Sequence, residues 1–338
     1  MTRDGNTNSS RRTAEFLVVG AGMAGLTAAD ILHRAGRDVL VVDKGRGVGG
    51  RMASRRIGAA TFDHGAQFLT AKDPGFAEVV AQWHETGIVA EWYRSTSTCV
   101  EGHSRWRGRP SMTAIARHLA RDLDVRLSCR ISSLRCEGGV WAASLEAGET
   151  IHAEAVLLTA PVPQSLALLE TGGVVLPSSS RNRLDGLTYE RCLAVLAVLD
   201  GPSLVPTPGR LEPSKGPIAW IADNQAKGVS RVPAVTIHGT ADFSLANWER
   251  DRHASGQDLL EAAEPWLGGA VTEVQVHGWR FSKPTAVDEN RCLVLNQSPL
   301  LVMAGDVFAG PRVEGAALSG RAAAETLQRL APGGSSGL

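Results

Sequence analysis

Phe16-Leu17-Val18-Val19-Gly20-Ala21-Gly22-Met23-Ala24-Gly25, followed by Asp38 to Asp43, is the stretch that decides the fold. Phe16 to Val19 is fully apolar, the pattern of a strand buried on both faces of a parallel sheet. Directly after it, Gly20, Gly22 and Gly25 complete a G-x-G-x-x-G motif. Leu26, Ala29 and Leu32 or His33 then recur at helical spacing up to Gly36, and Asp38 to Val42 reads as a second strand ending in Asp43. Each part has a physical task. Gly20 permits the tight turn, Gly22 lets backbone approach a pyrophosphate, and Gly25 lets helix pack close on strand. Met23 and Ala24 open the helix, whose N-terminus offers free N–H groups and a positive dipole end to phosphates. Asp43 lies about 20 residues on, where a carboxylate accepts hydrogen bonds from ribose hydroxyls. Gly-rich turns are common alone; strand, helix, second strand and terminal acid in this order predict a dinucleotide site.

Two further stretches select FAD over NAD. Lys44-Gly45-Arg46-Gly47-Val48-Gly49-Gly50-Arg51-Met52 is a second Gly-rich, basic loop, in which Arg46 and Arg51 flank the Gly49-Gly50 doublet. Guanidinium forks there suit a pyrophosphate already held on one side. At the other end of the chain, Leu300 to Ala304 reads as a buried strand running into Gly305-Asp306, and Arg312 to Ala324 as a Gly- and Ala-rich helix. An extended FAD places its ribityl chain far from the adenine turn, where Asp306 is suited to a ribityl hydroxyl. The helix N-terminus at Glu314, Gly315 and Ala316 is then expected to face flavin N1 and the C2 carbonyl, where negative charge collects on reduction. Residues 306–314 hold no cysteine, so the flavin is expected to be non-covalent.

The bulk properties agree with a folded oxidoreductase. The 338 residues are 43% hydrophobic and 21% charged, and a length prior gives about two domains. Thirty-five Lys plus Arg balance 35 Asp plus Glu, so no net field draws the chain to nucleic acid or an anionic membrane, and a small-molecule partner is expected. The five cysteines, Cys99, Cys129, Cys136, Cys192 and Cys292, form no C-x-x-C pair and read as reduced thiols. Met1 to Glu15 lacks an apolar leader core, and no apolar run reaches the roughly 18 residues of a membrane span. The expectation is a cytoplasmic enzyme without a metal centre, with tails at 1–14 and 331–338; the sequence leaves the oligomeric state open.

The runs Arg46 to Arg56, Phe62-Asp63-His64-Gly65-Ala66-Gln67-Phe68, Trp220 to Asn224, Trp279-Arg280-Phe281, Gly305-Asp306 and Arg312 to Ala316 together resemble the amine-oxidase-like flavoproteins, and within them the renalase family. The resemblance spans almost the whole chain. It implies an α/β fold, a Rossmann-type FAD-binding domain with a discontinuous α+β substrate domain containing an antiparallel sheet. The FAD domain would take 15–72, 102–161 and 288–330, and the substrate domain 73–101 and 162–287. Its antiparallel strands are expected to include Ala194 to Leu199, Ile218 to Ala222, Val235 to Gly239 and Val274 to Phe281. Leu127 to Leu134, an alternating strand pattern, matches a family segment whose backbone near Ile131 contacts adenine, and Gly65 and Ala66 join Gln67 among the implied flavin contacts.

The chemistry implied by the family belongs to the flavin, which accepts a hydride at N5, while the protein orients the donor. Renalase-like proteins take dihydropyridine isomers of NADH or NADPH and return NAD(P)⁺, with dioxygen reoxidising the flavin to give hydrogen peroxide. A planar, electron-rich substrate needs orientation more than a strong base. By family position His64, Gln67, His238, Trp279 and Arg280 are the candidates to shape the pocket, with Arg280 positioned for a carboxamide or phosphate. A lone His or Trp on an apolar strand is also an ordinary core residue, and Asn247 to His253 reads as a solvated helix face. Two other readings stand beside this one, an amine or secondary-metabolite oxidase on the same scaffold and a flavin-binding protein without turnover. Lys283 bears on the first, because many amine oxidases keep a lysine near N5; beside the strand-ending Pro284 the favoured reading is a surface residue. Two Tyr and seven Phe argue against an aromatic cage for a cationic amine.

Overall fold

The computed structural model describes residues 13–94 and 102–331. The expected tail residues 1–12 and 332–338, and Cys99, lie outside the described residues. In chain order the first elements are β1 (Thr13–Val19), α1 (Met23–Arg34), β2 (Val39–Val42), β3 (Ser54–Ile57), β4 (Ala60–Asp63), α2 (Pro74–Glu85), β5 (Val89–Arg94) and β6 (Ser104–Gly108). Next come α3 (Thr113–Leu119), β7 (Asp124–Arg126), β8 (Ile131–Glu137), β9 (Val140–Leu145), β10 (Thr150–Leu158), α4 (Val162–Thr171) and α5 (Ser178–Asp185). Then follow β11 (Tyr189–Leu199), β12 (Arg210–Leu211), β13 (Ile218–Asp223), β14 (Ala234–Gly239), α6 (Ala241–Ala246), α7 (Arg252–Leu267) and β15 (Val271–Pro284). The chain closes with β16 (Leu293–Gln297), β17 (Leu300–Met303), α8 (Asp306–Ala309) and α9 (Val313–Leu330).

Eight strands form the larger sheet, whose spine runs β16-β17-β10-β1-β2-β7, and β8 and β9 extend it as a meander. The pairs β17-β10, β10-β1, β1-β2 and β2-β7 are all parallel, which requires crossovers and explains why β2, β17, the end of β1 and the second half of β10 are continuous apolar runs buried on both faces, while β7, at the sheet's edge, is short and polar. In register, Val19 lies opposite Leu158 and Leu158 opposite Met303, so three strands end level with one another. The turns at Gly20 and at Gly305-Asp306 therefore leave the same carboxyl edge, two strands or about 10 Å apart. The smaller, five-stranded sheet is antiparallel in the order β12-β13-β14-β11-β15, and its four longer strands contain the segments expected from the sequence.

Three local expectations change. Thr13 and Ala14 are not tail but the start of β1, paired with His152 and Ala153, and Ala331 is buried. Leu127 to Leu134 is not one strand: Ser128 turns at φ 55, and the Ser128 and Cys129 amides donate to the Gly45 and Asp43 carbonyls, so that β8 begins only at Ile131. Asn247 to His253 is mostly the connection from α6 to α7, with Asp251 capping α7 through the Ala254 amide at 2.8 Å. The resemblance groups 73–101 with the substrate domain, yet Phe76, Val80 and Trp83 of α2 share a core with Phe16 and Leu26.

Candidate active site

The first turn shows what the glycines make room for. A Cβ on Gly25 would stand 2.0 Å from the Gly20 carbonyl oxygen, so α1 packs too closely on its own entry turn for any side chain. A Cβ on Gly22 would meet nothing within 4 Å, and neither would one on Gly47 or Gly305. These open glycine backbones line the carboxyl edge of the sheet. No side chain caps the first turn of α1, leaving the amides at Met23 and Ala24 and the helix dipole to an anion. The arrangement fits a pyrophosphate, and the residues present fit FAD. Asp43 ties the turn to the basic loop: its carboxylate accepts from the Ala21 amide at 2.6 Å and from the Gly45 amide at 2.6 Å. Gly50 lies against Gly22, and the Met52 side chain is buried beneath the loop.

Arg46 is exposed, and Lys44 reaches Gln164 at 2.9 Å. Arg51 instead turns toward the chain's last segment, where its guanidinium forks onto Asp306 at 2.8 and 2.7 Å and also donates to the Ser282 carbonyl at 3.2 Å. The basic loop, the strand-end acid and β15 thus meet at one point. Glu314 accepts from the Lys72 and Asp73 amides at 2.5 and 2.7 Å, which uses its carboxylate as a brace between α9 and α2 rather than leaving it to face the flavin. Gly315 packs against the Gly310 carbonyl, Ala316 follows in the first turn, and α9 carries no side-chain cap. Ile131 opens β8 as a buried residue beside the Asp43 to Cys129 contact.

Immediately next to Arg51 stands a wall of rings. A Cβ on Gly65 would meet the Arg51 carbonyl oxygen at 2.1 Å and the Trp279 ring at 3.2 Å, so this glycine allows β15 to close on the loop. His64, His277 and Trp279 have ring centroids 4.3 to 5.0 Å apart. The His64 carbonyl accepts from the Trp279 indole at 2.9 Å and bonds the His238 ring at 3.1 Å. Burial holds His64 down to about 3, and burial likewise holds His238 and His277 down to about 4, so all three rings are neutral near pH 7. The His64 Nδ1 is buried with no hydrogen-bond partner among the described residues. Arg280 is exposed, with its guanidinium 5.9 Å from the Phe281 ring, and does not join the wall.

Behind the wall lies a buried ion pair that sequence reasoning did not single out. Lys227, fully buried in the loop after β13, donates to Asp63 at 2.8 Å and to the Gln67 side-chain oxygen at 3.3 Å. Burial lowers its pKa from the ordinary lysine value, opposed by the Asp63 carboxylate. The Gln67 amide donates to the Asp63 carbonyl at 2.5 Å, and Asp63 also accepts from the Met112 amide and the Ser54 hydroxyl. Gln225-Ala226-Lys227-Gly228 reads as an ordinary exposed turn, so nothing in the sequence marks Lys227. His277 had a signal: it lies two residues from Trp279 on one strand, hence on the same face. Lys283 stands at the surface, 58% exposed and 3.7 Å from Glu190. Among the described residues no cluster of His, Cys, Asp or Glu has the form of a metal site, and no helix is long and apolar enough to cross a membrane.

Comparison with known proteins agrees with this geometry. Residues 18–83 match the model of the NAD(P)-binding Rossmann-like domain, and residues 82–328 match that of the flavin containing amine oxidoreductases. The chain is 25% identical to the renalase of Mus musculus over 94% of its own length and 99% of that protein. A shorter match, 38% identity over 98 residues, 28% of the chain and 20% of the relative, links it to a putative flavin-containing monoamine oxidase of Mycobacterium tuberculosis. Among solved structures it resembles a putative protoporphyrinogen oxidase from Exiguobacterium sp. 255-15, at TM-score 0.71 and 12% identity, with 94% and 99% of the two chains covered. An engineered putrescine oxidase gives TM-score 0.70 at 14% identity, again with 94% and 99% covered; both show likeness of fold.

Proposed function

The chain belongs to the flavin containing amine oxidoreductase family, an FAD-dependent oxidoreductase, and from that premise we propose that it oxidises dihydropyridine isomers of NADH or NADPH. The observation that carries this reading is the ring wall of His64, His277 and Trp279, uncharged near pH 7, with His277 edge-on to the other two rings, and adjacent to the Arg51–Asp306 junction. The chemistry bound FAD supplies is hydride acceptance, with dioxygen taking the electrons on as hydrogen peroxide.

In this reading 15–72, 102–161 and 288–330 hold the cofactor, with α2 packed into their core, while β5 and 162–287 cover it. Gly22, the α1 amides and Arg46 take the pyrophosphate, Asp43 and the Ile131 backbone the adenosine, and Asp306, with Arg51 forked onto it, and the α9 N-terminus the flavin end. His64 and Trp279 orient a planar ring by stacking and keep water from it, and His238 fixes the His64 backbone. Gln67, pinned by Lys227 and Asp63, holds the remaining edge. No ionised base belongs to this wall, which suits a donor that loses hydride from an already electron-rich ring. The amine reading has the monoamine oxidase match in its favour, but the lysine that would have supported it, Lys283, is at the surface.

The test is anaerobic mixing. A dihydropyridine isomer of NADH is expected to bleach the flavin absorbance of the purified yellow protein within seconds, and readmitted air to restore it with one hydrogen peroxide per turnover. Bleaching by primary amines and not by the isomer would transfer the function to amine oxidation.

A further inference from the structure

Beyond Gln67 the molecule gathers rings and guanidinium groups that neither the cofactor nor the ring wall uses. Phe68 follows β4, Trp92 and Tyr93 stand on β5, and Trp220 on β13, with ring centroids 5.1 to 6.4 Å apart. The Arg105 guanidinium on β6 lies 5.3 Å from the Phe68 centroid, and that of Arg210 on β12 lies 4.8 Å from Tyr93 and 5.9 Å from Trp220. All six side chains are half-buried, so the rings keep part of their surface toward solvent. Eight tryptophans supply what two tyrosines do not.

The cluster is continuous with the candidate active site. Lys227, which bonds Gln67, stands 4.8 Å above the Trp92 ring, and the Trp92 indole is anchored to the Pro208 carbonyl at 2.8 Å. Its chemistry is cationic and aromatic together. Arg210 has Glu212 as a partner at 2.8 Å, whereas Arg105 has no carboxylate partner among the described residues, its hydrogen bond going to the His103 carbonyl. The Trp220 indole N–H is buried without an acceptor among the described residues. Resident guanidinium groups over the rings repel a cationic ligand and leave forks for an anionic one, while the rings stack on a planar base.

We propose that Phe68, Trp92, Tyr93, Arg105, Arg210 and Trp220 form a subsite for the nucleoside diphosphate arm of the substrate. This rests on the reading that the substrate is a reduced nicotinamide dinucleotide: its reacting ring lies against the His64 wall and its ADP half extends along the cluster.

ADP is the probe, titrated into FAD-saturated holoenzyme so that the cofactor's own adenosine site is filled. One ADP is expected to bind per chain, quenching tryptophan fluorescence and weakening as salt rises. Arg105→Ala and Arg210→Ala each weaken it by about ten-fold, the size of a lost charge-assisted hydrogen bond. Arg105→Lys and Arg210→Lys keep charge and stem but lose the fork, and weaken it less. Arg94→Ala, an exposed residue of the same hairpin, leaves it unchanged, and the flavin spectrum of each variant reports that the fold is retained. Failure of wild-type holoenzyme to bind ADP, or binding that survives both alanine substitutions, overturns the subsite. ADP carries no dihydropyridine, so the two readings fail separately: intact ADP binding without bleaching overturns the reaction, and bleaching without ADP binding overturns the subsite.

Discussion

Lys227 is the residue whose environment departs furthest from its sequence context. It sits in a glycine-flanked turn, yet its ammonium is sealed between Asp63, Gln67 and the Trp92 ring. A buried pair of this kind is costly to form but far costlier to break, because the orphaned carboxylate stays in a low-dielectric interior. Lys227→Met is expected to lower unfolding stability by about 3–5 kcal/mol, whereas Lys227→Met combined with Asp63→Asn recovers part of the loss. Chemical denaturation of the three proteins checks this. A single variant as stable as wild type would mean that the pair carries no such burden.

At the scale of elements, α1 meets its neighbours through glycine on both sides. Gly25 touches the Gly20 carbonyl, and Gly320 of α9 lies so close to α1 that a Cβ there would stand 2.2 Å from the Ala24 carbonyl oxygen. The two helices therefore touch backbone to backbone, which brings their N-termini to one edge of the sheet. Gly22, with φ −84, has an ordinary backbone conformation and free space around its Cβ direction. The two glycines should then separate by readout. Gly22→Ala is expected to fold with near wild-type thermal stability as apoprotein while losing FAD affinity by roughly ten-fold or more, since the methyl enters the space left for the pyrophosphate. Gly25→Ala, forced against backbone, is expected to lose apoprotein stability as well. Flavin titration beside thermal melts of the apoproteins distinguishes them; equal destabilisation by both would show that Gly22 has a packing role instead.

Taken whole, the five-stranded sheet is joined to the β3-β4 hairpin by histidines: His64 just past β4, His238 on β14 and His277 on β15. Each has its pKa lowered from 6.5, to about 3 for His64 and to about 4 for the other two, chiefly by burial. The unfolded chain therefore binds protons that the folded chain refuses, and stability rises with pH across that window. The contribution is complete above about pH 6.5 and is lost as pH falls from there toward 4 and 3. Thermal midpoints are expected to drop steeply below pH 6.5, with flavin release accompanying the drop, and His238→Gln to flatten the slope. A midpoint independent of pH from 7 to 4.5 would remove the histidines from the junction.

Local pattern determined the βαβ unit, the glycine turn and the strand that runs into Gly305-Asp306, because each is encoded by residues close together in the chain: apolar runs, glycines at turn positions and an acid beyond a strand end; four strands of the smaller sheet were implied by the resemblance. The resemblance carried by Asp63 to Phe68 and Trp279 to Phe281 pointed to two runs that the structure brings together at His64 and Trp279. Tertiary structure alone decided who meets whom across it. It set Arg51 on Asp306, Glu314 on the Lys72 and Asp73 amides, Lys227 on Asp63 and Arg210 over Tyr93 and Trp220, and it sent Arg280 and Lys283 to the surface. Those partners stand between 117 and 255 positions apart, save for Arg210 and Trp220, which are ten apart, and the energy of burying a charge depends on what the fold packs around it, which no local period records.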